Sequence, residues 1–163
     1  MKENFINGNV YELKNTEKFD AIRELIHEAP VFRKINDRKD LENRVINRER
    51  IRSTGIGHGI AIAHGKTDKI GSIFLALGIS HKGIKFNSSD DKPVRLLFMI
   101  ANPPDMQNEY LSVLSSLLRI VSRVNFRNRM LSCKTSKEIE EIIIKESNNS
   151  LLNKSFHFFH NRE

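Results

Sequence analysis

Thirteen consecutive residues, Ser53-Thr54-Gly55-Ile56-Gly57-His58-Gly59-Ile60-Ala61-Ile62-Ala63-His64-Gly65, hold most of the chemistry legible in this chain. Glycines at alternate positions let the backbone bend sharply or approach another group closely. The apolar stretch then ends on His64, which Gly65 follows at once. A histidine at the end of a buried strand presents its ring at the rim of a sheet, where ligands of open α/β folds gather. Its imidazole is a nucleophile when neutral, and an ordinary value near 6.5 leaves it mostly neutral at pH 7. Such a residue also serves as a plain hydrogen-bonded strand-end histidine, and the residue type alone leaves both roles open.

Other chemistries fit less well. Gly65-Lys66-Thr67 has the ending of a phosphate-binding P-loop, but five residues separate Gly59 from Gly65 where the motif needs four. The Gly55-Ile56-Gly57-His58-Gly59 run lacks the spacing and the following helix of a dinucleotide fingerprint. His58 and His64 stand six apart with no third ligand at a recognised spacing, so no metal or other cofactor is expected. The single cysteine, Cys133, excludes an intrachain disulfide framework.

These residues need a scaffold. Hydrophobic residues make up 39% of the 163, enough for one core. Thr16 reads as an N-cap with Glu17 and Asp20 in the first turn, and Phe19, Ile22, Ile26 and Ala29 then share a helix face until Pro30. A second helix starts at Asp37, turns Leu41 and Val45 inward and ends near Arg50. Three apolar runs, 59–63, 70–77 and 94–100, read as strands buried on both faces, with a short strand at 83–86 between the last two. After Pro103-Pro104 a helix carries Tyr110, Leu114, Leu117, Val121 and Val124 as one stripe, flanked by Leu111 and Leu118. A last helix opens on a capping box, Thr135 with Glu138, followed by Ile139, Ile142 and Ile143. The order helix, helix, strands, helix, helix predicts a single-domain α/β (α+β) sandwich, a mixed β-sheet flanked by helices. The tail from residue 147 carries Phe156, Phe158 and Phe159, which suit docking on the domain or on a second copy in a homodimer.

The net charge is +7, yet charges alternate in sign and no run of five like charges occurs. That describes a solvated, mildly basic surface, and nucleic acid is not an expected partner. The N-terminus has no apolar signal-peptide core, and the apolar runs are far shorter than the ~20 residues a membrane span needs. The chain reads as soluble and cytoplasmic.

The 53–65 segment resembles the enzyme IIA domains of the bacterial sugar phosphotransferase system, in the fructose/mannitol and nitrogen-regulatory branch. That family carries a stretch like S-T-G-I-G-x-G-I-A-I-P-H-G with a phosphorylated histidine. The resemblance continues through Gly83-Ile84-Lys85-Phe86, Lys92-Pro93-Val94, Tyr110-Leu111 and the 131–144 end, covering roughly residues 8–146. It implies that His64 accepts a phosphoryl group from a phosphorylated HPr-like carrier. It further implies Arg48 beside the site; Thr54, Gly57, His58 and Tyr110 are expected as phosphate-binding or supporting residues, with a bystander role open for His58 at the motif's variable position and core packing open for Tyr110. The group would pass to a IIB domain, or its presence would control a regulatory target protein. With no IIB or membrane domain attached, the regulatory role is the expectation. Two departures stand out: Ala63 replaces the family proline, and Tyr110 replaces a second histidine. They motivate a second reading, a protein-binding module impaired in phosphotransfer. A third, a basic nucleic-acid binder, rests on net charge alone.

Overall fold

The computed structural model describes residues 9–149. Along the chain run β1 (Val10–Glu12), α1 (Lys18–Glu28), α2 (Arg38–Ile51), β2 (Gly55–Gly57), β3 (Ile60–Lys66), β4 (Phe74–Ile84), β5 (Val94–Asn102), α3 (Gln107–Val121), α4 (Val124–Ser132) and α5 (Ser136–Asn149). The five strands form one mixed sheet in the order β1-β4-β5-β3-β2. β3 and β5 pair in parallel, β4 and β5 antiparallel. The expected sandwich of a mixed sheet between helices is what forms. The phenylalanines of the tail lie outside the described residues.

The period-2 alternation of the strands splits the core into two unlike halves. On one face Ala61, Ala63, Ala76 and Ala101 meet α1 and α2. On the other, Ile60, Ile62, Leu75, Leu77, Phe98 and Ile100 meet α3, α4 and α5. Small side chains let the first helix layer lie close on the sheet. Two glycines carry this to its limit. A Cβ on Gly78 would stand 2.6 Å from Leu13, and one on Gly65 would stand 2.7 Å from the Val45 side chain and 3.1 Å from the Val45 backbone nitrogen.

Several elements depart from the expected boundaries. The helix expected to be capped by Thr16 begins one residue later. Residues 16 and 17 are extended, because Lys85 N–H donates to the Thr16 carbonyl at 2.8 Å and Glu17 bridges to Lys85. Asp37 caps α2 as expected, accepting from Asp40 N–H at 3.0 Å. The 70–77 run is not one strand. Ile70 and Ile73 are buried in a loop that precedes β4. Hydrophobicity reports burial, and a loop residue plugging the end of a sheet reads like a strand residue. The separate strand at 83–86 is instead the end of β4, joined across an irregularity where Gly83 N–H donates to the Ser80 hydroxyl.

The long stripe through Val124 also breaks. α3 stops at Val121 because Arg127 donates to the carbonyls of Val121 and Ser122 at 2.8 and 2.9 Å, satisfying acceptors a helix end leaves open. Val124 opens α4 and is exposed, as are Leu111 and Leu118, while Val113 and Ile120 complete the buried face. The Thr135 half of the expected capping box forms, Glu138 N–H donating to its hydroxyl, while the Glu138 carboxylate accepts from Lys134 N–H rather than from Thr135 N–H.

Two buried carboxylates hold the first helix layer together. Glu49, near the end of α2, accepts from Lys18 Nζ at 2.9 Å, from Thr54 N–H at 2.9 Å and from the Thr54 hydroxyl at 2.6 Å. It thereby ties α1, α2 and the start of β2 together. Glu42 accepts from Arg23, His27 and Lys39 at 2.7–3.1 Å. Burial raises its carboxyl, but the hydrogen bonds from His27 and Lys39 and the Lys39 charge outweigh this and hold it down to about 2.

Two outcomes follow for stability. Glu49→Ala strands the Lys18 ammonium in a buried site, and urea unfolding will show a loss of about 3–5 kcal/mol. Glu42 has a folded value below its unfolded 4.5, so its stabilisation is complete above pH 4.5 and lost as pH falls toward 2. This is worth about 3 kcal/mol at about 1.4 kcal/mol per pKa unit. Thermal unfolding of Glu42→Gln will therefore lack much of the acid-dependent fall that the wild type shows between those values.

Candidate functional site

His64 is placed by two features of β3. It is even-numbered, like Ile60 and Ile62, so it shares their face of the sheet, the face that α3 covers. It also lies where the sheet has a free edge. β2 pairs only with Ile60 and Ala61, and a last hydrogen bond from Ile62 N–H to the Thr54 carbonyl ends the contact. At that edge α2, lying under Gly65, and the first turn of α3 both come within reach of the imidazole.

From the α3 side comes Tyr110, buried, its ring centroid 5.4 Å from that of His64 and tilted by 41°. From the α2 side comes Arg48, whose Nη1 donates to the Arg52 carbonyl at 3.1 Å, just past the helix end. A C-terminal helix carbonyl suits a cation and steadies the guanidinium there. Between the two helices is a cavity of about 360 Å³ lined by Arg44, Arg48, His64, Gly65, Lys66, Asn102, Gln107 and Tyr110. Its lining holds three cationic side chains and no carboxylate, a set suited to an anion rather than a metal.

The electrostatics follow from the neighbours. Burial lowers the His64 pKa below 6.5, the Arg48 charge lowers it further, and the hydrogen bond to the Ile62 carbonyl opposes them only in part. The ring is neutral at pH 7. Its Nδ1 lies 3.5 Å from the Ile62 carbonyl oxygen, which selects the Nδ1–H tautomer and leaves the Nε2 lone pair free. Burial raises the Tyr110 phenol above 10, with Arg48 opposing, so Tyr110 is a neutral donor at pH 7.

Of the residues singled out in sequence, the fold brings Arg48 and Tyr110 to His64. The other three lie elsewhere. Thr54 directs its hydroxyl to Glu49. Gly57, His58 and Gly59 all have positive φ and form the tight turn from β2 into β3. His58 is exposed there, its N–H donating to Asp90 at 2.9 Å. Ile60 to His64 alone spans about 13 Å of strand, so His58 stands at the opposite end of β3. Arg44, Lys66, Asn102 and Gln107 escaped the sequence reading. The spacing of Arg44 and Arg48, one helical turn apart, was a usable signal for the first. Asn102 and Gln107 had none, because they flank a turn after β5 whose path is a tertiary matter.

Known proteins resemble this chain in sequence and fold. The family model described as phosphoenolpyruvate-dependent sugar phosphotransferase system, EIIA 2, matches residues 4–146. The chain is 35% identical over 131 residues, 80% of its length, to the fructose-specific EIIABC component of Bacillus subtilis, and spans 21% of that longer protein. It is 32% identical over 126 residues to the fructose-specific EIIA component of Haloferax volcanii, covering 77% of this chain and 82% of that one. Among solved structures, nitrogen regulatory protein IIA-Ntr from Neisseria meningitidis superposes with a TM-score of 0.74 at 26% identity, covering 84% of this chain and 93% of that one. With the family match running through both helix layers and the His64 edge between them, this chain belongs to the EIIA 2 family of the phosphoenolpyruvate-dependent sugar phosphotransferase system.

Proposed function

We propose that this chain is a phosphoryl carrier whose acceptor atom is Nε2 of His64. The observation that carries the reading is a neutral imidazole with a free Nε2, set in a cavity lined by three cationic side chains and no carboxylate. The donor is a phosphorylated HPr-like protein. Its P–N bond breaks with the electron pair staying on the donor's protonated ring, which leaves as neutral imidazole. The Nε2 lone pair forms the new P–N bond, and the His64 ring becomes a phosphoimidazolium that keeps its proton on Nδ1. The Ile62 carbonyl supports that proton more strongly once the ring is positive. Arg48 contributes a planar, permanently charged fork to the transferring group. The reverse step delivers the group to a IIB domain, or the phosphorylated state alters binding to a regulatory target. Among the described residues no helix is long and apolar enough to cross a membrane, in keeping with a carrier that works from the cytoplasm.

The departures from the family pattern bear on rate rather than on geometry. Ala63 sits in regular register with Met99, so β3 presents His64 without a proline. Tyr110 offers a hydrogen bond but no positive charge. The second reading, a binding module impaired in phosphotransfer, follows if that missing charge proves decisive.

Incubation with a phosphorylated HPr-like donor will place acid-labile, base-stable phosphate on the wild type and none on His64→Ala. An unlabelled wild type beside a labelled control IIA protein would sink the carrier reading and leave the binding module. Proton NMR will place the His64 titration below 6.5, and Arg48→Ala will move it upward. Acceptance of phosphate will fall as pH drops through the wild-type value, because protonation occupies Nε2.

A further inference from the structure

Arg48 is not alone on its helix face. Arg44 precedes it by one turn and lines the same cavity as His64. The stem of Arg44 starts beside the residue after His64: its Cβ lies 3.4 Å from the position a Cβ would take on Gly65. Its head is held elsewhere. Nε lies 3.6 Å from Asp40 Oδ1, a long contact on a side chain that is 54% exposed. Arg44 is only one of the partners that hold the Asp40 carboxyl low: the Thr67 hydroxyl donates to it, and the Asp40 side chain is 23% exposed. The Arg44 guanidinium can therefore leave Asp40 without stranding a buried charge.

The cavity has reason to attract it. A phosphoryl group brings close to two negative charges. Tyr110 is neutral, and Glu49 is turned away onto Lys18 and Thr54. Besides Lys66 at the exposed end of β3, Arg48 is the cation in place. We infer that Arg44 is a second phosphoryl-binding residue, which exchanges its contact with Asp40 for the phosphoryl oxygens when His64 is phosphorylated. It makes up, from α2, the positive charge that Tyr110 does not supply from α3. This rests on His64 as the acceptor, and the tests below separate the two ideas.

The first test needs no transfer. Titrate the full chain with inorganic phosphate, following the His64 ring protons by NMR. Loss of one charge-assisted hydrogen bond weakens binding about tenfold, so Arg44→Ala will show a Kd about ten times that of wild type, with Arg44→Lys between the two. Arg33→Ala, which removes the same charge from an exposed position outside the cavity lining, will bind as wild type does. Equal binding by Arg44→Ala and wild type, or equal weakening by Arg33→Ala, overturns the inference. The second test uses phosphoramidate, whose P–N bond breaks with its electron pair leaving on ammonia as the bond to Nε2 forms. Phosphorus NMR of the product will show the second ionisation of the phosphoryl group moved upward in Arg44→Ala, and an unmoved ionisation counts against Arg44. Labelling by phosphoramidate but not by the HPr-like donor would defeat the donor assignment alone. Failure of both donors would defeat the carrier reading, while the phosphate titration still decides Arg44.

Discussion

The absence of one side chain, at Gly65, is the constraint on which the site depends. Any Cβ there would stand 2.7 Å from Val45 and crowd its backbone as well. Without it α2 lies directly on β3, and Arg44, which adjoins the contact, and Arg48, one turn further along, line the cavity at the free edge of the strand. Arg44 and Arg48 gain their position in this way. The histidine and glycine at 64–65 are one device: the first supplies the reactive ring, and the second admits the helix that supplies the charge.

The same logic runs through the sheet. β3 presents alanines on one face and isoleucines on the other, so the helix layer over the alanine face meets a smaller surface there. His64 projects from the face of large residues, where α3 supplies an aromatic neighbour, yet its edge position leaves it open to the close-packed layer as well. A position further into the sheet, flanked by strands on both sides, would give it access to only one helix layer.

The charge of the cavity is set by where acids are sent. Glu49 adjoins Arg48 in sequence but is drawn into a buried network with Lys18 and Thr54. Asp40 binds Thr67 and Arg44, and Glu42 binds Arg23 and His27 of α1 and Lys39 of α2. No carboxylate lines the cavity, so a chain of mixed surface charge places three cationic side chains around one small opening. Net charge alone would not locate that opening, because potential near a surface follows the local arrangement of groups.

How much of this was legible in the sequence differs by element. The stripes of α1 and α5 and the Asp37 cap of α2 were readable, because hydrophobic period and capping act within a few residues. His64 was readable as a strand-end histidine, and the 53–65 register identified the family. The remainder depended on contacts between distant segments. Burial of Ile70 and Ile73 in a loop, termination of α3 by Arg127, and the diversion of Thr54 to Glu49 leave no periodic trace. The position of Gly57 and His58 at the far end of β3 follows from a turn that reverses the chain before the strand begins. By itself, then, the sequence determined the strand that carries His64 and the glycine behind it, since both follow from local pattern. Only the tertiary structure decided which side chains share a cavity with that histidine, because this depends on how closely a helix can approach a strand.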